Sequence, residues 1–166
     1  NDKRKLNSFN SLKNLNFIEF PQKGFYELKK IINKISKLNG CILLIDYGYL
    51  KPNNRNTLQS VIKHKKNKIL NNLGKADITS HVNFSLLREF FLKNNLSVKK
   101  IITQSEFLQN MGIYERANIL ANNMKFIEQS DLYYRLKRLL GSKSMGQLFK
   151  VICAYNHKKS KYFGFK

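Results

Sequence analysis

Gln59, His64, Asp77, Thr79 and His81 gather hydrogen-bonding and titratable side chains into one polar stretch, and Asp46 stands at the end of an apolar run upstream of it. Histidine is scarce, with three in the chain and two of them in that stretch. An imidazole near neutral pH can take up or hand on a proton, so His81 is a candidate general base. The spacing does not make a zinc site: His64 and His81 are seventeen residues apart, with no thiolate and with Asp77 as the carboxylate near them. The same residues also fit loop architecture, with His81 bonding a loop carbonyl and Asp77-Ile78-Thr79 forming a turn ahead of a helix. Ser105, Ser130 and Ser142 lack the glycine-flanked turn of an activated serine, so hydrolase chemistry has no support.

The elements that must position these groups follow from the apolar pattern. Asp46-Tyr47-Gly48 ends the run Cys41-Ile42-Leu43-Leu44-Ile45, five apolar residues without polar alternation. Such a run predicts a fully buried parallel strand over 41–46, and ligands of open α/β sheets sit beyond the carboxyl ends of their strands. Phe25, Leu28, Ile31, Ile32, Ile35 and Leu38 recur at helical spacing, predicting a helix over 24–38 that stops at Asn39-Gly40. Residues 49–80 carry Pro52 and Gly74 among Asn and Lys and predict a long connection with little regular structure, a length that is uncommon unless functional. Asn83 predicts an N-cap for a helix over 84–95. A β-branched strand over 97–103, helices over 104–127 and 131–140 broken near Gly112, with Ser130 as a cap and Gly141 as a stop, and a last strand over 148–155 complete an α/β chain. Residues 1–16 read as a flexible or loosely docked lead-in, 17–156 as the folded part, and 157–166 as a basic tail that frays.

Composition narrows the partners. Lys and Arg number 31 against 10 Asp and Glu, giving +21 and a pI near 10.1, which raises nucleic acid as a partner. The excess is spread along the chain, and the joint richness in Asn, Ile, Lys and Phe is what AT-rich coding DNA produces, so nucleic acid is not the expected partner. Cys41 and Cys153 each lie in an apolar run without a CxxC and are expected to be buried reduced thiols. No apolar segment is long enough to span a bilayer, and a cytoplasmic setting is expected. The eight glycines are never two apart, so there is no G-x-G turn to bring a cofactor onto backbone amides.

Six blocks then run in order: Leu43-Leu44-Ile45-Asp46-Tyr47-Gly48; Thr57-Leu58-Gln59 with His64; the stretch from Gly74 to Phe84 through Asp77-Ile78-Thr79-Ser80-His81-Val82-Asn83; Thr103-Gln104 with Phe107-Leu108; Gly112-Ile113 with Arg116; and Met145-Gly146-Gln147-Leu148-Phe149-Lys150. In this order the sequence resembles the C-terminal half of the MidA-like family of class I S-adenosylmethionine-dependent methyltransferases, relatives of the mitochondrial complex I assembly-factor arginine methyltransferase. The resemblance covers about residues 17–156. It implies part of a Rossmann-like seven-stranded sheet: 41–46 as strand 5, 97–103 as strand 6, and 148–155 as the antiparallel strand 7 between them, with helix 84–95 joining strands 5 and 6. It implies S-adenosylmethionine as cofactor, with the glycine-rich loop and the acidic ribose ligand in a half that precedes these blocks, so no cofactor-binding residue is expected in this chain. It implies a protein substrate, an arginine of a respiratory complex I subunit in the mitochondrial relatives. Asp46, Asp77, Thr79 and His81 are then the residues expected to line the acceptor side, and Tyr47, Gly48, Gln59 and His64 to bind substrate. Two departures stand out: the family usually has Asp where Asn83 stands, and Val61-Ile62-Lys63 replaces the usual context before His64. An N-terminal half of the same enzyme is the expected partner, because strand 5 would otherwise present an apolar edge. The alternative function is a non-catalytic basic module that docks on a protein or on nucleic acid.

Overall fold

The computed structural model describes residues 6–52, 54–156 and 161–165. Helix α1 (Gln22–Leu38) turns Phe25 and Ile32 into the core and ends where Asn39 takes a left-handed conformation and donates its N–H to the Ile35 carbonyl. Strand β1 (Cys41–Tyr49) follows directly. Downstream, β5 (Val82–Asn83) leads into α2 (Phe84–Lys93), whose N-terminus is capped by Asn83 Oδ1 accepting from the Leu86 N–H. Five of the ten residues of α2 are buried, and Phe90 stacks on Phe25 with ring centroids 4.0 Å apart, which locks α2 against α1.

The last strand, β8 (Phe149–Tyr155), organises the main sheet. It runs antiparallel to β1, from Cys41 opposite Tyr155 to Tyr47 opposite Phe149. On its other side it pairs antiparallel with β6 (Ser97–Val98) and β7 (Ile102–Thr103), so it lies between them and β1, as the resemblance implied. The β-branched run 97–103 is thus two short segments rather than one continuous strand. The outer edge of β1 pairs in parallel with β5 at Gly48 and Tyr49 alone. Among the described residues, no strand pairs with that edge over 41–47.

Position in the sheet decides burial. Val151, Ile152, Cys153 and Ala154 of β8 are at most 3% exposed, because this strand has neighbours on both edges and side chains packed on both faces. One face joins Phe84, Phe91 and Ile32 in the larger core, and the other joins Ile102 and Phe107 in a smaller one. The strand expected to be fully buried, β1, is not. It alternates, with Ile42 and Leu44 packed on the larger core while Leu43 and Ile45 remain 46% and 43% exposed. Cys41, expected to be buried, is exposed for the same reason, and Cys153 is buried as expected.

The connection 49–80 is also more ordered than its composition predicts. β2 (Gln59–Ile62), β3 (Lys65–Asn67) and β4 (Asp77–Thr79) form a separate three-stranded antiparallel ribbon in the order β3-β2-β4. Lys63 and His64 both have positive φ, 48° and 61°, the geometry of a two-residue hairpin turn of the type that matches strand twist. Neither residue is the glycine or asparagine that advertises such a turn, which is why the pattern was silent.

Between β7 and β8 lie α3 (Gln104–Asn110), α4 (Ile113–Ala121), α5 (Phe126–Leu140) and the one-turn α6 (Met145–Leu148). The break at Gly112 is as expected, with φ of 80°. Ser130 is not a cap: α5 begins four residues earlier, and the Glu128 carboxylate accepts from the Lys125 N–H at 2.7 Å. Within the lead-in, residues 6–16 are docked, with Phe9 and Leu12 buried and the Glu89 carboxylate accepting from the N–H groups of Asn10 and Ser11. Much of the tail expected over 157–166 lies outside the described residues. No helix among those described is long and apolar enough to cross a membrane.

Candidate functional site

Where β1 ends, the chain brings three aromatic rings together. Tyr47 packs edge-on against His81 at 5.4 Å and against Phe149 at 5.6 Å. Gly48 makes this possible. A Cβ there would sit 2.1 Å from the Val82 carbonyl oxygen and 2.9 Å from the Phe84 ring, so only glycine lets β1 approach the 81–84 segment this closely. The space where a Gly48 side chain would stand is therefore filled by the chain itself, and this glycine lets the two strands pack.

Thr57 ties the 81–84 segment to the N-terminal side. Its N–H and hydroxyl both donate to the Glu19 carboxylate, at 2.9 and 2.7 Å, and its Oγ1 accepts from the His81 N–H at 2.9 Å. Tyr49 lies beside this network, and its phenol titrates above the usual range because burial disfavours the phenolate and the Glu19 charge adds to that, against a hydrogen bond with Asn83. His81 forms part of the wall between two concavities. One, of about 490 Å³, is bounded by Glu19, Phe20, Phe25, Leu28 and the segment from Ser80 to Asn83. The other, of about 970 Å³ and more open, is bounded by Tyr49, Thr57, Gln59 and Lys66.

Of the residues singled out from sequence, Tyr47, Gly48 and His81 meet in this region, and Gln59 borders it from β2. Thr79 pairs with Gln59 across the ribbon, and its hydroxyl oxygen is buried without a hydrogen-bond partner among the described residues. Asp77 is exposed opposite Val61, and His64 is exposed at the hairpin turn, so both belong to the ribbon rather than to the ring cluster. Asp46 is exposed too. It accepts from the Tyr47 N–H at 2.8 Å and lies opposite Lys150, whose ammonium is held below its usual pKa by burial and donates to the Gln147 carbonyl. No group of three or more His, Cys, Asp or Glu side chains that could hold a metal occurs among the described residues.

Sequence reasoning missed Glu19 and Tyr49. Glu19 sits 38 residues before Thr57, and nothing local marks it. Its signal was weak but present: it is one of only 10 acidic residues in a strongly basic chain, next to the aromatic-proline step Phe20-Pro21.

Residues 3–102 match a protein family described as "Putative S-adenosyl-L-methionine-dependent methyltransferase". Among curated proteins, the chain is 32% identical over 124 residues to the mitochondrial protein arginine methyltransferase NDUFAF7 of Xenopus tropicalis, covering 74% of this chain and 28% of that protein. It is 31% identical to the Caenorhabditis elegans homolog, covering 75% of this chain and 29% of the other, and 28% identical to the human protein, covering 80% and 30%. The chain thus spans under a third of the length of these relatives. A crystal structure from Burkholderia thailandensis, described as a "likely methyl transferase" bound to S-adenosyl-homocysteine, superposes with a TM-score of 0.74 at 20% identity, over 92% of this chain and 42% of that one. A native structure of a protein from the same organism, described as uncharacterized, superposes equally well.

Proposed function

The chain belongs to this family of S-adenosyl-L-methionine-dependent methyltransferases, and from that premise we propose that it forms the C-terminal, acceptor-side part of a protein arginine methyltransferase. Its fold is the C-terminal part of the Rossmann-like sheet, with β1, the β6/β7 pair and β8 as strands 5, 6 and 7. The cofactor-binding half belongs to polypeptide outside these residues, whether continuous with this chain or separate.

One observation carries the reading: the edge of β1 over 41–47 has no strand partner among the described residues, and the same strand leaves Leu43 and Ile45 half-exposed. An open edge with apolar side chains is a template for a further strand. A strand from the cofactor half would satisfy its backbone groups, and the structure that accompanies that strand would cover Leu43 and Ile45 on the sheet face from which they project. In this reading the cofactor is held by the other half; at the end of β1, the position of a Gly48 Cβ is taken by the Val82 carbonyl. Once bound by the other half, the cofactor supplies the electrophilic methyl group.

This chain's own residues then act by holding the acceptor. Methyl transfer to a guanidinium nitrogen depends on orientation and on acceptors that fix the cation. In this reading Tyr47 on β1, Gln59 on β2, Thr79 on β4 and His81 after it line that side, while Asp46 at the strand end and Asp77 with His64 on the ribbon stand further out, where a polypeptide substrate would pass. The substrate is a protein, as the names of the curated relatives support; a respiratory complex I subunit is the proposed one.

The test is calorimetric titration of S-adenosylhomocysteine into this chain alone and into a mixture with a polypeptide spanning the N-terminal part of its relatives. Binding is expected in the mixture and not in the chain alone. No binding in either overturns the proposal.

A further inference from the structure

We propose that the cavity beside Glu19 receives the guanidinium of an arginine side chain presented by a polypeptide, with the Glu19 carboxylate as its acceptor. This rests on the protein-acceptor reading above and deepens it by naming the subsite.

Charge is the first argument. In a chain of +21 with only 10 acidic residues, two of them, Glu19 and Glu27, line this one concavity. Glu27 is ion-paired with Lys30 at 2.8 Å and is well exposed. Glu19 is held differently, by the neutral N–H and hydroxyl of Thr57. Each carboxylate oxygen keeps a second lone pair after those bonds, and its negative charge is not cancelled by its partner there. The charge is felt locally, since it is one cause of the raised Tyr49 pKa.

Shape and chemistry agree with that charge. The cavity wall is mostly apolar, with Phe20 and Phe25 in edge-on contact at 5.4 Å and with Leu28 and Ile31 alongside. An arginine matches this combination: its methylene stem lies on aliphatic surface, its plane packs on aromatic rings, and its rigid fork donates two parallel hydrogen bonds to one carboxylate. A lysine would supply charge without the fork. Because the Ser80 to Asn83 segment closes the cavity, an occupant of the Glu19 end lies beside His81.

The test titrates the isotope-labelled chain with the blocked tripeptide Gly-Arg-Gly and with its lysine and citrulline counterparts, reading the backbone amide signals of Thr57 and His81. The arginine peptide is expected to give saturable shifts at both amides, lysine weaker ones, and citrulline at least about tenfold weaker binding for want of charge. Glu19→Gln, which keeps an acceptor for Thr57, is expected to abolish the response while Glu128→Gln on α5 leaves it unchanged. Equal binding of citrulline and arginine, shifts that map away from this cavity, or no saturable response overturns the proposal, and the peptide comparison decides even if Glu19→Gln does not fold. The readout needs no cofactor, so failure of the homocysteine titration and failure of this subsite are separate outcomes.

Discussion

β1 and β8 carry apolar runs of similar length, yet one is half-exposed and the other sealed. Leu43 and Ile45 of β1 are 46% and 43% exposed, whereas Val151 and Ile152 of β8 are at 0%. Ile45 and Val151 are directly opposite one another in the ladder and share a face. Local hydrophobicity therefore does not separate them. What separates them is what packs on that face and where the strand lies: Val151 is covered by Ile102 and Phe107 on a strand paired at both edges, whereas Ile45 lies outside that cluster on a strand with no partner at one edge over 41–47 among the described residues. An apolar run states that burial is needed; topology states whether this chain or another polypeptide supplies it.

The sharpest way to break this comparison is thiol chemistry. Cys153 is buried, and its pKa is pushed up to about 11, mainly by burial and then by neighbouring Cys41, against a smaller opposing effect of Lys99. Cys41 on β1 is exposed. Alkylation of the native chain is expected to modify Cys41 promptly and Cys153 about a thousandfold more slowly or less, because the buried thiol waits for unfolding. Mass spectrometry of a time course checks this, and pairing of β1 with a cofactor half should then protect Cys41 as well. Simultaneous labelling of both would mean that β8 is not the sealed strand.

Truncations test the same contrast energetically. Ile152→Ala, at a site with no exposure, is expected to cost about 3–4 kcal/mol, and Ile45→Ala about 1 kcal/mol, measured by urea unfolding of the chain alone. Addition of the cofactor half should widen the Ile45 effect and leave that of Ile152 nearly unchanged. Equal losses in the isolated chain would remove the distinction.

A smaller effect is expected at the joint between the open strand and the candidate site. Gly48→Ala places a methyl against the Val82 carbonyl and the Phe84 ring, and should destabilise by about 2–3 kcal/mol through displacement of β5. Amide shifts at Val82 and Phe84 would report that displacement, and native-like shifts with unchanged stability would contradict the packing role of Gly48.

The smallest effect concerns the lead-in. Burial alone would raise the Glu89 pKa, but hydrogen bonds from the Ser11 and Asn10 backbone and the Ser11 hydroxyl, with the Lys93 charge, hold it below the usual carboxylate value. The sign follows from the lowered folded pKa: the stabilisation is complete above the unfolded carboxylate pKa and is lost as pH falls through the folded one. Acidification through that window, or Glu89→Gln at neutral pH, is expected to weaken docking of residues 8–12 by about 1 kcal/mol. Hydrogen exchange at Asn10 and Ser11 measures it, and exchange unchanged by the substitution would assign the docking to Phe9 and Leu12 alone.

Legibility followed the range of the interactions. The α1 stop at Asn39, the Asn83 cap and the break at Gly112 were readable because each depends on residues within one turn of it. The ribbon of β2, β3 and β4 was not, because its strands are three or four residues long, polar, and joined by Lys63-His64 rather than a glycine turn. Of the site, the order Asp46-Tyr47-Gly48 followed by His81 carried the family resemblance. The Glu19 clamp on Thr57 did not, since a carboxylate's partner 38 residues away leaves no periodic trace.

By itself, the sequence determined which segments are helical or apolar and which family they belong to, because side-chain spacing and capping act over a few residues. Tertiary structure alone decided that β8 rather than β1 is the sealed strand, that Thr57 bridges Glu19 to His81, and that Cys41 faces solvent. Those outcomes depend on which surfaces meet, and the free energy of burying a surface is set by its neighbours in space rather than by its neighbours along the chain.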